Sequence, residues 1–103
     1  MTVYVDQLFT QKAQGSAAFL VGKRNDHQWC HMVADTDEEL HAMALRIGMK
    51  RAWFQGEGTA QAHYDLTPGR RAAAVAAGAV AIDKRQLVEI IRARRAALKG
   101  ATS

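Results

Sequence analysis

Residues 30–55 read CHMVADTDEELHAMALRIGMKRAWFQ, and how this stretch is parsed decides the fold of the chain. Cys30 to Ala34 is a short apolar run closing on Asp35 and Thr36, the pattern of a strand that ends at a helix cap. Thr36 and Glu39 stand at capping-box spacing, and Asp37, Glu38 and Glu39 put negative charge where the dipole of a following helix favours it. Leu40, Met43, Ala44 and Ile47 then recur at helical spacing until Gly48 ends the pattern. Reading Ala52 to Gln55 (AWFQ) as a further strand completes a β-α-β unit, whose crossover would be right-handed.

Upstream, Thr2 to Asp6 (TVYVD) is rich in β-branched and aromatic residues and reads as a buried strand. Downstream, a polar loop from Gly56 to Ala62 leads into His63, Tyr64, Asp65 and Leu66. Thr67 caps a second helix with Pro68 in its first turn and Gly78 at its C-terminal end. Ala79 to Ile82 is another strand; Asp83 and Gln86 cap a last helix with Leu87, Ile90, Ile91 and Leu98 as its apolar stripe. This alternation predicts one small α/β domain over residues 1–103, with a largely parallel sheet of about four strands and three helices, β-α-β followed by α-β-α. Residues 7–28 read as an irregular loop segment, in which Ala17 to Val21 fits a short strand or a helical turn, and residues 100–103 read as a flexible tail.

At 103 residues and 49% hydrophobic content, one core suffices. There is no apolar run of roughly 18 residues, and MTVYV lacks the basic region and apolar stretch of a signal peptide, so neither membrane insertion nor secretion is expected. Cys30 is the only cysteine, which excludes an internal disulfide and a multi-cysteine zinc site. It reads as a buried thiol in a reducing, cytoplasmic setting. The net charge of +4 is concentrated in residues 84–103, where six basic groups face Glu89 alone. Arg92, Arg95 and Lys99 on that helix invite a nucleic-acid reading, but no aromatic residue follows Tyr64 to stack a base, and a solvated basic face is the better account.

Parallel sheets bind ligands at the carboxyl ends of their strands, where loops and helix N-termini converge. Asp6, Asp35 and Asp83 each end a predicted strand; helix capping explains Asp35 and Asp83 but not Asp6. His63, Tyr64, Asp65, Arg70 and Arg71 form a group denser in polar chemistry than a connecting loop needs. Arginines in the first turn of a helix oppose its dipole, so an acid should face them, either Asp65 in a structural ion pair or an anionic ligand. His63 is the candidate catalytic acid or base, with Asp6 or Asp65 orienting it. His31, some 13 Å from Asp35 in an extended chain, cannot share one metal with it. His41 reads as a boundary residue beside an apolar stripe, and His27 lies in the irregular segment. A His63/Asp65 metal site is conceivable from their spacing, but no HExxH, HxH or paired-cysteine pattern supports it, so no metal ligand is assigned and no cofactor is identified. Phosphate loops and GxSxG elbows are absent, and Gly56 with Gly58 is too short a cradle. The candidate ligand-binding set is therefore Asp6, His31, His63, Tyr64, Asp65, Arg70 and Arg71.

The blocks MTVYVD, CHMVADTDEELHAMALRIGM, RAWFQ and HYDLTPGRRAAAVAAGAV together resemble DUF4031, a family of bacterial and phage domains of unknown function. The resemblance implies that Asp6, His31, Asp35, His41, His63, Tyr64, Asp65 and Arg71 belong to recurrent blocks, and it makes a phage or prophage setting plausible. Gly69 and Arg70 stand where the family commonly has Ser and Lys, which leaves Arg71 as the shared arginine. Three functions are expected from the residues. The first is a module binding a nucleotide-like or other phosphorylated anion, acting on host signalling. The second is a small hydrolase or phosphodiesterase using His63 with Asp6 or Asp65, with or without a metal. The third is a nucleic-acid adaptor built on the basic last helix. Self-association is expected as well, because a sheet of this size leaves edges and Trp29, Trp53 and Phe54 exceed what a small core hides.

Overall fold

The computed structural model describes residues 2–12 and 26–102. Val3–Val5 form β1, Phe9–Lys12 β2, Asp26–Ala34 β3, Tyr64–Leu66 β4 and Val80–Ala81 β5; the helices are α1 (Asp37–Arg46), α2 (Pro68–Ala76) and α3 (Lys84–Thr102). Four strands run in the order β5-β1-β3-β4, and β2 pairs with the first half of β3. Only β1 and β5 are parallel; β3 is antiparallel to β1, β2 and β4.

The sheet is thus mixed, which corrects the largely parallel sheet expected from alternating elements. The cause lies early in the chain. After Asp6 to Leu8, β2 continues in β1's direction, and β3 returns antiparallel to both. Part of residues 7–28 is therefore paired strand rather than loop, at 9–12 and again from 26. The Ala17 to Val21 reading lies outside the described residues. At the other end, α3 continues to Thr102, through the residues expected as a tail.

AWFQ is not a strand. Residues Arg51–Trp53 form a 3-10 turn, and only Gln55 touches a neighbour, in an isolated antiparallel bridge to His63. A four-residue apolar run is ambiguous by periodicity. Here Phe54 alone packs against the core, while Ala52 and Trp53 face outward, so no period-2 face exists to make a strand. The β-α-β crossover is accordingly absent.

The caps behave as the residue types require. Thr36 Oγ1 accepts from Glu39 N at 3.3 Å, Thr67 Oγ1 from Arg70 N at 3.4 Å, and Asp83 and Gln86 bond reciprocally at 2.8 and 2.9 Å. Gly78, at φ 112, ends α2 in a conformation that a side chain would strain.

Strand alternation sorts the side chains into two faces. Val3, Val5, Cys30, Met32, Ala34, Tyr64 and Leu66 point to one side and pack with Leu40, Ala44 and Ala74 of α1 and α2. Tyr4, His31, Val33 and Asp65 fall on the other side, where Leu87 and Ile91 of α3 border a cleft beside His31, Val33 and His63. Arg94 anchors α3 by donating to Ala34 O at 3.1 Å and to Asp37 Oδ1 at 2.8 Å. Among the described residues, no helix is long and apolar enough to cross a membrane.

Candidate functional site

The site grows from an irregularity in the β1–β2–β3 ladder. Between the pairs Val5–Met32 and Phe9–Trp29, three residues (Asp6, Gln7, Leu8) stand opposite two (Cys30, His31). An extra residue of this kind bends a strand and re-aims its side chains. Asp6 sits at that bend and is 7% exposed, the one buried charged residue among those described. Its carboxylate accepts from His31 N at 2.6 Å and faces His31 Nδ1 at 2.7 Å, while its own N–H donates to His31 O at 3.1 Å.

β4 supplies the rest of the cluster. The register places Asp65 directly across from His31, with side chains on the same face. His63 lies two residues upstream on that face, its ring 5.2 Å from the His31 ring and edge-on to it. His63 Nε2 is 3.3 Å from Asp65 Oδ1, and Gln55, brought close by its bridge to His63, donates to Asp65 Oδ2 at 2.8 Å. His63 Nδ1 lies 2.6 Å from Gln61 O, and Phe9 stacks on His31 at 5.3 Å. Gly56 makes the Gln55–His63 loop possible: its φ is 73, and a Cβ there would come within 3.3 Å of Thr59, Gln61 and Ala62.

Carboxylates and carbonyls only accept, so each Nδ1 carries a proton and, in the neutral rings, each Nε2 presents a lone pair. One donor atom each from His31, His63 and Asp65 lies within 4.8 Å of the others. The electrostatics follow the contacts. Donation by the ring to Asp6 raises the His31 pKa against the opposing effect of burial, and donation from Nε2 of the protonated His63 ring to Asp65 does the same for His63. Reciprocally, the His63 hydrogen bond holds Asp65 below the usual carboxylate range.

Asp65 also opens onto a cleft of about 440 Å³, whose walls include Trp29, Trp53, Gln55, Thr67 and Arg70. The Arg70 guanidinium lies over the Trp53 ring at 5.4 Å.

Of the expected site residues, Asp6, His31, His63 and Asp65 come together, and Arg70 lines the adjoining cleft. Arg71 is engaged with the backbone: its Nε donates to Asp6 O at 2.9 Å, which supports the bend. Tyr64 is fully buried on the opposite face, its hydroxyl 2.8 Å from His41 Nδ1, so alternation removes it from the site. The common rim also fails, because antiparallel strands put Asp35 at the opposite end from Asp6, where it binds Thr2 N and the Tyr4 hydroxyl, each at 3.0 Å. Asp65 takes its bonds from His63 and Gln55 rather than from an arginine. Cys30 is the inert thiol expected: burial, with the charges of Asp6 and Asp65, pushes it up to about 12. Gln55, Trp53 and Phe9 were missed. Their role depends on the bridge and the β2–β3 pairing, for which no short-range pattern stands in the sequence.

Residues 3–94 match the family model of DUF4031, described as a protein of unknown function, and the chain belongs to that family. No curated protein and no solved structure matches the chain.

Proposed function

We propose that this domain is a small hydrolase of phosphorylated, nucleotide-like compounds. The observation that carries the reading is the convergence of His31, His63 and Asp65 at the edge of the cleft bordered by Trp53 and Arg70, with Asp65 common to both. Two imidazole nitrogens and a carboxylate oxygen within 4.8 Å of one another suit a water molecule that must lose a proton as it attacks. In the step we envisage, the water oxygen bonds to phosphorus, the bond to the leaving oxygen breaks, and the proton passes through the cluster to that oxygen. Asp6 orients His31 and stabilises positive charge on it, as a carboxylate behind a catalytic imidazole does. Trp53 offers a base a stacking surface, and Arg70 offers the phosphoryl group an anion partner.

Incubation of the full chain with a panel of nucleotides and phosphodiesters, followed by chromatographic detection of products, tests this. Turnover that is lost in His31→Ala and His63→Ala supports it. Failure to turn over any member of the panel overturns it in favour of the second reading, a module that binds the same class of anion without transforming it. That reading is supported by the cleft alone and predicts saturable quenching of Trp53 fluorescence by the unchanged ligand. The nucleic-acid adaptor is weaker, because Arg94 of the basic helix is spent on Ala34 and Asp37. A cytoplasmic setting fits the single buried thiol, and exposed Leu45, Val80 and Val88 leave apolar surface for self-association.

A further inference from the structure

We infer that His31, His63 and Asp65 bind a single divalent transition-metal ion, with zinc(II) the best match to the donor set. Two imidazole nitrogens and one carboxylate oxygen, with a coordination position left open, are the composition of a catalytic rather than a structural zinc site. The ligand type favours borderline ions over magnesium or calcium, which prefer oxygen donors.

The spacing fits. Ligands about 2 Å from a tetrahedral centre stand about 3.3 Å apart. His63 Nε2 and Asp65 Oδ1 are already separated by 3.3 Å. All three donors lie within 4.8 Å, so completing the site asks His31 to close by at most about 1.5 Å.

The surroundings fit as well. A ligating histidine characteristically donates its other ring N–H to a carboxylate or a carbonyl, and a ligating carboxylate is itself hydrogen-bonded. Each donor here has such a support: Asp6 behind His31, Gln61 O behind His63, and the Gln55 amide on Asp65. Asp6 is in turn braced by Arg71. Three supports on three different segments are more than an ion pair between His63 and Asp65 needs, and they account for a carboxylate buried at a strand bend with both its oxygens committed to His31.

The inference uses the same residues as the hydrolase reading and deepens it by naming what would activate the water, but it does not depend on turnover. The test is titration of the metal-stripped full chain with zinc(II), manganese(II) and magnesium(II) by calorimetry, with cobalt(II) absorption reporting the coordination number. Expected are one zinc per chain, binding at least tenfold tighter than magnesium, and cobalt bands of four- or five-coordinate intensity. His63→Ala and the near-isosteric Asp65→Asn should each abolish stoichiometric binding, and Gln55→Ala should weaken it by about 10- to 100-fold. His41→Gln, on the opposite face of the sheet, should leave it unchanged. In nitrogen-detected NMR, zinc should shift the Nε2 resonances of His31 and His63. Absence of stoichiometric zinc binding, or binding indifferent to both Asp65→Asn and His63→Ala in folded protein, overturns the inference. Zinc bound without turnover would sustain it and retire the hydrolase, whereas turnover persisting in chelator with no zinc bound would do the reverse.

Discussion

Asp6 holds His31 at two points, accepting from its backbone N–H at 2.6 Å and from its ring Nδ1 at 2.7 Å, so one buried carboxylate sets both the strand bend and the direction of the imidazole. The coupling of backbone and ring makes the site part of the fold. Anything that loosens the bend at Asp6 also turns His31 away from His63 and Asp65.

Asp6→Asn is therefore expected to damage stability and chemistry together. One amide oxygen replaces one acceptor, but the amide NH2 must then face one of the two His31 donors, leaving a buried N–H without a partner. Such a loss costs about 1–3 kcal/mol, and removing a supporting carboxylate lowers activity by about 10- to 100-fold. Urea unfolding and turnover measured on the same preparation check both. Unchanged stability would show that the carboxylate does not hold the bend.

The pH dependence has a definite sign. In the metal-free chain the hydrogen bond to Asp6 raises the His31 pKa above 6.5, and Asp65 raises that of His63. A raised histidine pKa adds stability that is fully present below the unfolded value near 6.5 and is lost as pH rises through the folded value. Asp65, lowered from 3.8 chiefly by His63, adds stability that is present above 3.8 and is lost as pH falls through its folded value. Both histidine C2 protons should titrate above 6.5 by NMR, and Asp6→Asn should bring His31 down. Because these side chains are partly exposed, solvent screening keeps the stability change small.

How much of this was legible follows from which physics is local. Thr36, Thr67 and Asp83 announce helix starts because a cap is satisfied within three residues, and all three perform that role. Strand direction is not local. It depends on β2 pairing with β3 at Phe9–Trp29, a contact that no turn motif signals. With β3 taken as parallel to β1, Asp6 and Asp35 share one rim; the antiparallel register separates them and sets His31 against Asp6. His63 and Asp65 were recognisable by residue type and spacing. His31 stands in the same candidate set, but its pairing with Asp65 does not show in the sequence, because it is a cross-strand link between residues 34 apart.

Cys30 should resist thiol reagents in the native chain. Burial and the negative charges of Asp6 and Asp65 push its pKa up to about 12, so almost no thiolate exists at pH 8. A disulfide reagent such as Ellman's is expected to react fully in denaturant and only at the rate of unfolding in its absence. Rapid labelling of folded protein would mean that the core face opens more readily than its packing implies.

Tyr64→Phe separates core from site. The Tyr64 hydroxyl and His41 Nδ1 pair at 2.8 Å on the face away from His31, with Phe54 packed against both rings at 4.5 and 5.4 Å. Removing the hydroxyl keeps the ring and its packing but leaves His41 without that partner, at a cost of about 1–2 kcal/mol. The backbone of β4 stays in register with β3, so Asp65 keeps its place opposite His31. Urea unfolding should show the loss, while turnover and zinc stoichiometry stay at the parent level. If either collapses in a variant that remains folded, Tyr64 reaches the site through the strand, and the division of the sheet into a packing face and a chemical face does not hold.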